Sequence, residues 1–102
     1  MQKRSEHNLV LMDKGLQDLN FLRSIEWEGL FEVNMNKNYL SSIEQLNKFR
    51  NLKAISASNN YIYEVHLELG RLESLDLTNN YLSEVPNLTG TPKLMELNLT
   101  SN

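Results

Sequence analysis

Two histidines, His7 and His66, are the first side chains to test for chemistry, and they stand isolated, one near the start of the chain and one between two repeated strand patterns, which suits a surface or satisfied residue better than a catalyst or ligand. The chain has no cysteine, which excludes thiol nucleophiles and thiolate metal sites. Its four glycines are scattered singly, so no glycine-rich loop is available to cradle a phosphate. No metal-ligand spacing occurs, and no catalytic, cofactor-binding or metal-binding residue is assigned. Asn-x-Thr triplets stand at Asn87–Thr89 and Asn98–Thr100, but such triplets are common by chance and Asn98 falls inside a strand pattern, which argues against glycosylation there. The chemistry left is surface recognition by hydrogen bonds and charge. The chain is therefore expected to be non-catalytic.

The side chains that could do this recognising are positioned by a repeated element. Residues 72–82 read LESLDLTNNYL. Leu75 and Leu77 alternate with Ser74, Asp76 and Thr78, the period-2 pattern of a short strand with one buried face. The pattern breaks at Asn79-Asn80, where a turn is expected. It recurs as Leu30, Val33, Met35, Asn38, Leu40; as Leu52, Ile55, Ala57, Asn60, Ile62; and as Leu94, Leu97, Leu99, Asn102. The four copies are offset by 22, 20 and 22 residues. A degenerate copy at Leu9, Leu11 and Leu16 carries Lys14 where the asparagine belongs. Terminal repeats are commonly atypical because one side of them meets water. The expected division is a loosely held start (1–8), a degenerate N-terminal cap repeat (9–29), repeats at 30–51, 52–71 and 72–93, and an incomplete repeat at 94–102.

Between strands the chain must turn back and re-enter. Leu40, Ile43, Leu46, Phe49 and Leu52 are spaced by three, which suits a 3₁₀-like return better than a long α-helix. The return after Ile62 is two residues shorter. The one after Leu82 contains Gly90 and Pro92, which oppose a sustained helix. Trp27 stands in the frame position of Phe49 and Leu69 and is expected in the core, with a binding anchor as the alternative. Each asparagine at Asn38, Asn60, Asn80 and Asn102 sits where the chain leaves its strand, and an amide can satisfy turn groups that the sheet no longer pairs. Ala57, in place of a core leucine, predicts a thinner core layer.

The run LxxLxLxxNxLxxIxxLxxFxxL from Leu30 to Leu52 resembles the leucine-rich repeat, specifically its SDS22-like subclass, and the resemblance extends over residues 9–102. It implies an α/β repeat solenoid, a curved array with a parallel β-sheet on the concave face and short 3₁₀ or irregular turns on the convex face. It also implies a non-catalytic protein-interaction module, a scaffold or regulatory-subunit fragment. The alternatives are a bacterial surface or effector domain similar to internalins, and the recognition domain of a larger enzyme.

Strand residues between the leucines point outward and form three columns on the concave face. They are Glu32, Ala54, Ser74, Glu96; Asn34, Ser56, Asp76, Asn98; and Asn36, Ser58, Thr78, Thr100. Three are acidic and none is basic. A shallow polar groove is expected, suited to a protein segment of basic or hydrogen-bonding character. Tyr39, Tyr61 and Tyr81 each follow the repeat asparagine and should form a row along one rim. Such a row can bridge neighbouring repeats and can also serve an interface. Phe31 and Met95, at the opposite strand edge, could extend an apolar rim.

The 102 residues suffice for one domain, and the net charge of -3 offers no basic surface to nucleic acid or anionic lipid. The absence of cysteine leans toward a reducing, cytoplasmic compartment. The four-residue apolar run Leu9–Met12 is too short for a signal-peptide core or a membrane span. No cofactor is implied, and the expected partner is a protein. The last strand, carrying Leu94, Leu97 and Leu99, is expected to leave its core side open, as in a fragment of a longer array or a self-associating edge.

Overall fold

Alternation of apolar and polar residues produces five strands of three residues each, in a computed structural model that describes residues 7–102. They are β1 (Asn8–Val10), β2 (Glu32–Asn34), β3 (Ala54–Ser56), β4 (Ser74–Asp76) and β5 (Glu96–Asn98). All pair in parallel, and their order across the sheet is their order along the chain. The register is unbroken: Leu9, Val33, Ile55, Leu75 and Leu97 lie side by side, one residue per strand. Backbone pairing continues one step past each strand, as in Met35 N–H to the Ser56 carbonyl (2.8 Å) and Ala57 N–H to that of Asp76 (2.9 Å). The result is one open, parallel, five-stranded sheet.

One face of the sheet carries the core. Leu30, Val33 and Met35 of one copy pack with Leu52, Ile55 and Ala57 of the next and with Leu72, Leu75 and Leu77 beyond it, all buried. Return segments close the other side of this layer. Three-residue apolar spacing gives 3₁₀ turns at Asn20–Ser24 and Glu44–Lys48, each burying its central leucine, Leu22 or Leu46. No α-helix occurs among the described residues. The return after Ile62 is extended instead, with Val65, Leu67 and Leu69 buried and His66 and Glu68 exposed between them. Extension is how a shorter return covers the span: an extended residue advances about 3.3 Å, a 3₁₀ residue about 2 Å. The side chain of Asn47 fastens it to the preceding turn, its amide donating to the His66 carbonyl (2.9 Å) and its Oδ1 accepting from Glu68 N–H (2.8 Å).

The turn after each strand is built alike. One non-glycine residue takes the left-handed conformation: Asp13, Lys37, Asn59, Asn79 and Ser101, with φ between 55° and 61°. The next position holds the repeat asparagine. The Asn60 amide donates to the carbonyls of Met35 (3.0 Å), Ala57 (3.2 Å) and Ser58 (3.2 Å), while its Oδ1 accepts from Leu40 N–H (3.1 Å). Asn80 and Asn102 repeat this pattern one and two copies on. In the first copy Lys14 replaces the asparagine, and Asn38 Oδ1 accepts from both Lys14 N–H and Leu16 N–H (3.0 Å each).

Residues 1–6 of the expected loose start lie outside the described residues. Asn8 opens β1, and the His7 carbonyl accepts from Phe31 N–H (2.8 Å) and Glu32 N–H (3.0 Å). The His7 ring stacks on Phe31 (centroids 4.8 Å apart, planes 8° apart), and its Nδ1 lies 3.1 Å from the Gly29 carbonyl. Trp27 is only half-buried against the core edge and lines a depression with Lys48, Phe49 and Arg50.

Candidate functional site

The sheet face opposite the core carries the predicted columns. Glu32, Ala54 and Ser74 align across β2, β3 and β4, as do Asn34, Ser56 and Asp76, and Glu96 and Asn98 continue both rows on β5. With Val33 and Ile55 beneath, the central residues line a depression of about 320 Å³. The carboxylates of Glu32 and Glu96 make no hydrogen bond or ion pair among the described residues, and both side chains are exposed. Asp76 is partly engaged, because its Oδ1 accepts from Thr78 N–H (3.0 Å) and Thr78 Oγ1–H (2.6 Å). Asn98 holds Thr100 in the same way, and Asn34 Oδ1 accepts from Asn36 N–H (3.0 Å). This column thus terminates the strands as well as facing solvent. An acceptor oxygen two residues ahead of a backbone N–H is a standard way to start a turn.

The third column departs from the expectation. The strands end before Asn36, Ser58, Thr78 and Thr100, which belong to the turns. Ser58 is buried and so is not a surface contact. Asn36 spends its Oδ1 on Ser56 Oγ–H and Ser58 N–H (2.8 Å each). The face also has members that the degenerate first copy concealed. β1 adds Asn8 beside Glu32 and Val10 beside Asn34, and Met12 follows with its sulfur 3.9 Å from Asn34 Nδ2. Val10 and Met12 are exposed, so one end of the face is apolar. The register of Leu9 with Val33 would have exposed this in sequence had the missing asparagine not obscured it.

Tyr39, Tyr61 and Tyr81 form a ladder along the turns. Their ring centroids are 5.9 Å and 5.5 Å apart, with planes inclined by 24° and 33°. The rings are 54%, 49% and 63% exposed, the middle one least because it is flanked on both sides. Equivalent backbone bonds set the spacing: Tyr39 N–H donates to the Leu16 carbonyl, Tyr61 N–H to Leu40 and Tyr81 N–H to Ile62 (2.8–2.9 Å). Across from the ladder runs the row of left-handed residues Asp13, Lys37, Asn59 and Asn79, in which Asn79 Nδ2 donates to Asn59 Oδ1. The two rows and the buried amides of Asn38 and Asn60 enclose a groove of about 440 Å³.

Phe31 and Met95 do not make a continuous rim. Lys53 and Glu73 stand between them in the row, with the Lys53 ammonium 5.6 Å from the Phe31 ring centroid. His66 faces Glu64 (3.4 Å) on the extended return, away from both surfaces. Among the described residues, no cluster of histidine and carboxylate side chains could hold a metal ion, and no helix is long and apolar enough to cross a membrane.

What these surfaces can do is bind: one offers carboxylates and amides on a flat sheet, the other aromatic rings and amides along a groove. No protein-family model matches the chain, and no curated protein matches it.

Proposed function

We propose that this chain is a leucine-rich repeat module of the SDS22-like kind, a curved solenoid acting as a non-catalytic scaffold or regulatory segment inside the cell, which binds a basic protein segment on its concave face. The observation that carries the reading is the unbroken register of β2 to β5. It sets Glu32, Asp76 and Glu96 on one open face, where no lysine, arginine or histidine occupies any column position. Carboxylates sharing a face without counter-charges favour a cationic partner and repel an anionic one.

Asp76 demands a careful test, because a lysine there would also break the turn bonds to Thr78. Asparagine already does the same structural work at Asn34 and Asn98, so Asp76→Asn removes the charge and keeps the acceptor. The experiment compares the wild type with a Glu32→Gln/Asp76→Asn/Glu96→Gln variant, using fluorescence anisotropy of a labelled lysine-rich peptide. The expected result is salt-sensitive binding that weakens roughly three- to tenfold in the variant, the range for a few exposed ion pairs. Equal affinity in the two proteins would overturn the acidic-face reading.

A further inference from the structure

The tyrosine ladder stops one ring short of the turn that begins it. In the frame of the backbone bonds, Leu16 stands to Tyr39 as Leu40 stands to Tyr61. The residue before Leu40 is Tyr39, and the residue before Leu16 is Gly15. Gly15 therefore occupies a ring position without a ring. Its φ is +69°, a conformation the ladder tyrosines do not share, and a Cβ built on it meets no atom within 4 Å other than those of its chain neighbours. Among the described residues, the outer face of Tyr39 lacks the ring neighbour that Tyr61 has on each side, in agreement with its greater exposure.

The two ends of the ladder differ in charge. At the Tyr39 end the groove wall is Asp13, followed by Lys37. At the Tyr81 end the next left-handed residue is Ser101, which is neutral and does not line the groove. A planar cation suits the Tyr39 end. It stacks on an uncovered aromatic face and meets a carboxylate at its edge, which a lysine ammonium, a compact and strongly hydrated point charge, does less well.

We propose that the position vacated by Gly15 is a receptor for an arginine side chain of the partner segment, with the guanidinium stacked on Tyr39 and paired with Asp13. The inference rests on the reading of the chain as a partner-binding module and names the chemistry of one partner residue. Lys37 works against the incoming charge and sets an upper limit on affinity. The groove lined by Asp13 and Tyr39 continues past Tyr61 and Tyr81, so the partner chain runs across the repeats beside Asn59 and Asn79.

The test uses two labelled peptides of equal charge in a glycine-serine background, one with arginines and one with lysines, and a third with tryptophan and no cation. Wild-type protein is expected to bind the arginine peptide about two- to fivefold more tightly than the lysine peptide, the scale of an exposed cation–π contact. Tyr39→Leu should abolish that preference and Tyr39→Phe should keep it. Lys37→Ala should strengthen arginine binding, and Asp13→Asn, compatible with the left-handed backbone, should weaken it. In the wild type, titration with the arginine peptide should shift the Tyr39 ring resonances more than those of Tyr81, a readout independent of whether Tyr39→Leu folds. Equal binding of the arginine and lysine peptides would overturn the receptor, as would a preference that survives Tyr39→Leu, or tighter binding of the tryptophan peptide. If arginine selectivity is absent while the sheet carboxylate variant still loses affinity, this inference alone fails. If the carboxylate variant is unaffected but the Tyr39-dependent preference persists, the acidic-face reading fails instead.

Discussion

A single amide at each turn does the work of several backbone groups. The Asn60 side chain serves three carbonyls and one N–H, spanning two copies of the repeat, and is itself buried. Buried polar groups left without partners are costly, so Asn60→Ala should destabilise by about 2–3 kcal/mol in urea unfolding. Asn102 makes the same bonds at the exposed end of the sheet, where water can replace them. Asn102→Ala should cost less than about 1 kcal/mol in the same assay. The asparagines were legible in sequence because their offset from the strand leucines is constant. The stacking of His7 on Phe31 was not, since nothing local to residue 7 announces a partner one repeat away. The dual role of Asp76 was hidden for a similar reason: alternation says which way a side chain points, not what its oxygens hold.

Strands and 3₁₀ turns followed their spacing closely, while the extended return at 62–72 followed from its length. Its apolar residues Val65, Leu67 and Leu69 lie two apart, a period that could have been read as extended chain before any coordinates were seen. The chain packs tightly there. A Cβ on Gly90 would overlap the Leu67 carbonyl and the Glu68 carboxylate, and Gly90 itself accepts from Leu69 N–H (3.0 Å). Gly90→Ala should therefore lower stability by about 1–3 kcal/mol, as overpacking against backbone does. Gly70 has open space around it and an ordinary backbone conformation. Gly70→Ala should be neutral or stabilise by up to about 1 kcal/mol through the unfolded chain. Parallel thermal melts of the two variants check both expectations. The apolar end of the sheet face, Val10 and Met12, escaped the sequence reading because Lys14 disguised the first copy as irregular.

Stability across the molecule should follow position in the sheet. Each strand touches only its sequence neighbours, and the burial of equivalent leucines falls away at the far end: Leu75 is 0% exposed and Leu97 is 36% exposed. Leu75→Ala should cost about 2–5 kcal/mol, the range for emptying a packed site, and Leu97→Ala distinctly less. Hydrogen exchange should show the same gradient, with amides of β3 protected near the global unfolding energy and those flanking β5 exchanging earlier through local opening. Uniform protection from β3 to β5 would contradict this. The regular frame made the molecule's outline readable from sequence, since one strand register repeated is the whole sheet. What could not be read is the open space an interruption of the frame leaves, as at Gly15, because an absent side chain leaves no pattern of its own.

The strand order has a kinetic side. Each strand from β2 to β5 pairs with the one made just before it, at a separation of one repeat, so none of these pairings waits for a distant segment to arrive. Once β1 is out of the ribosome, each later strand therefore has its template already in place. Each new copy can zip onto the last, and pausing between copies leaves a folded stub rather than a half-paired tangle.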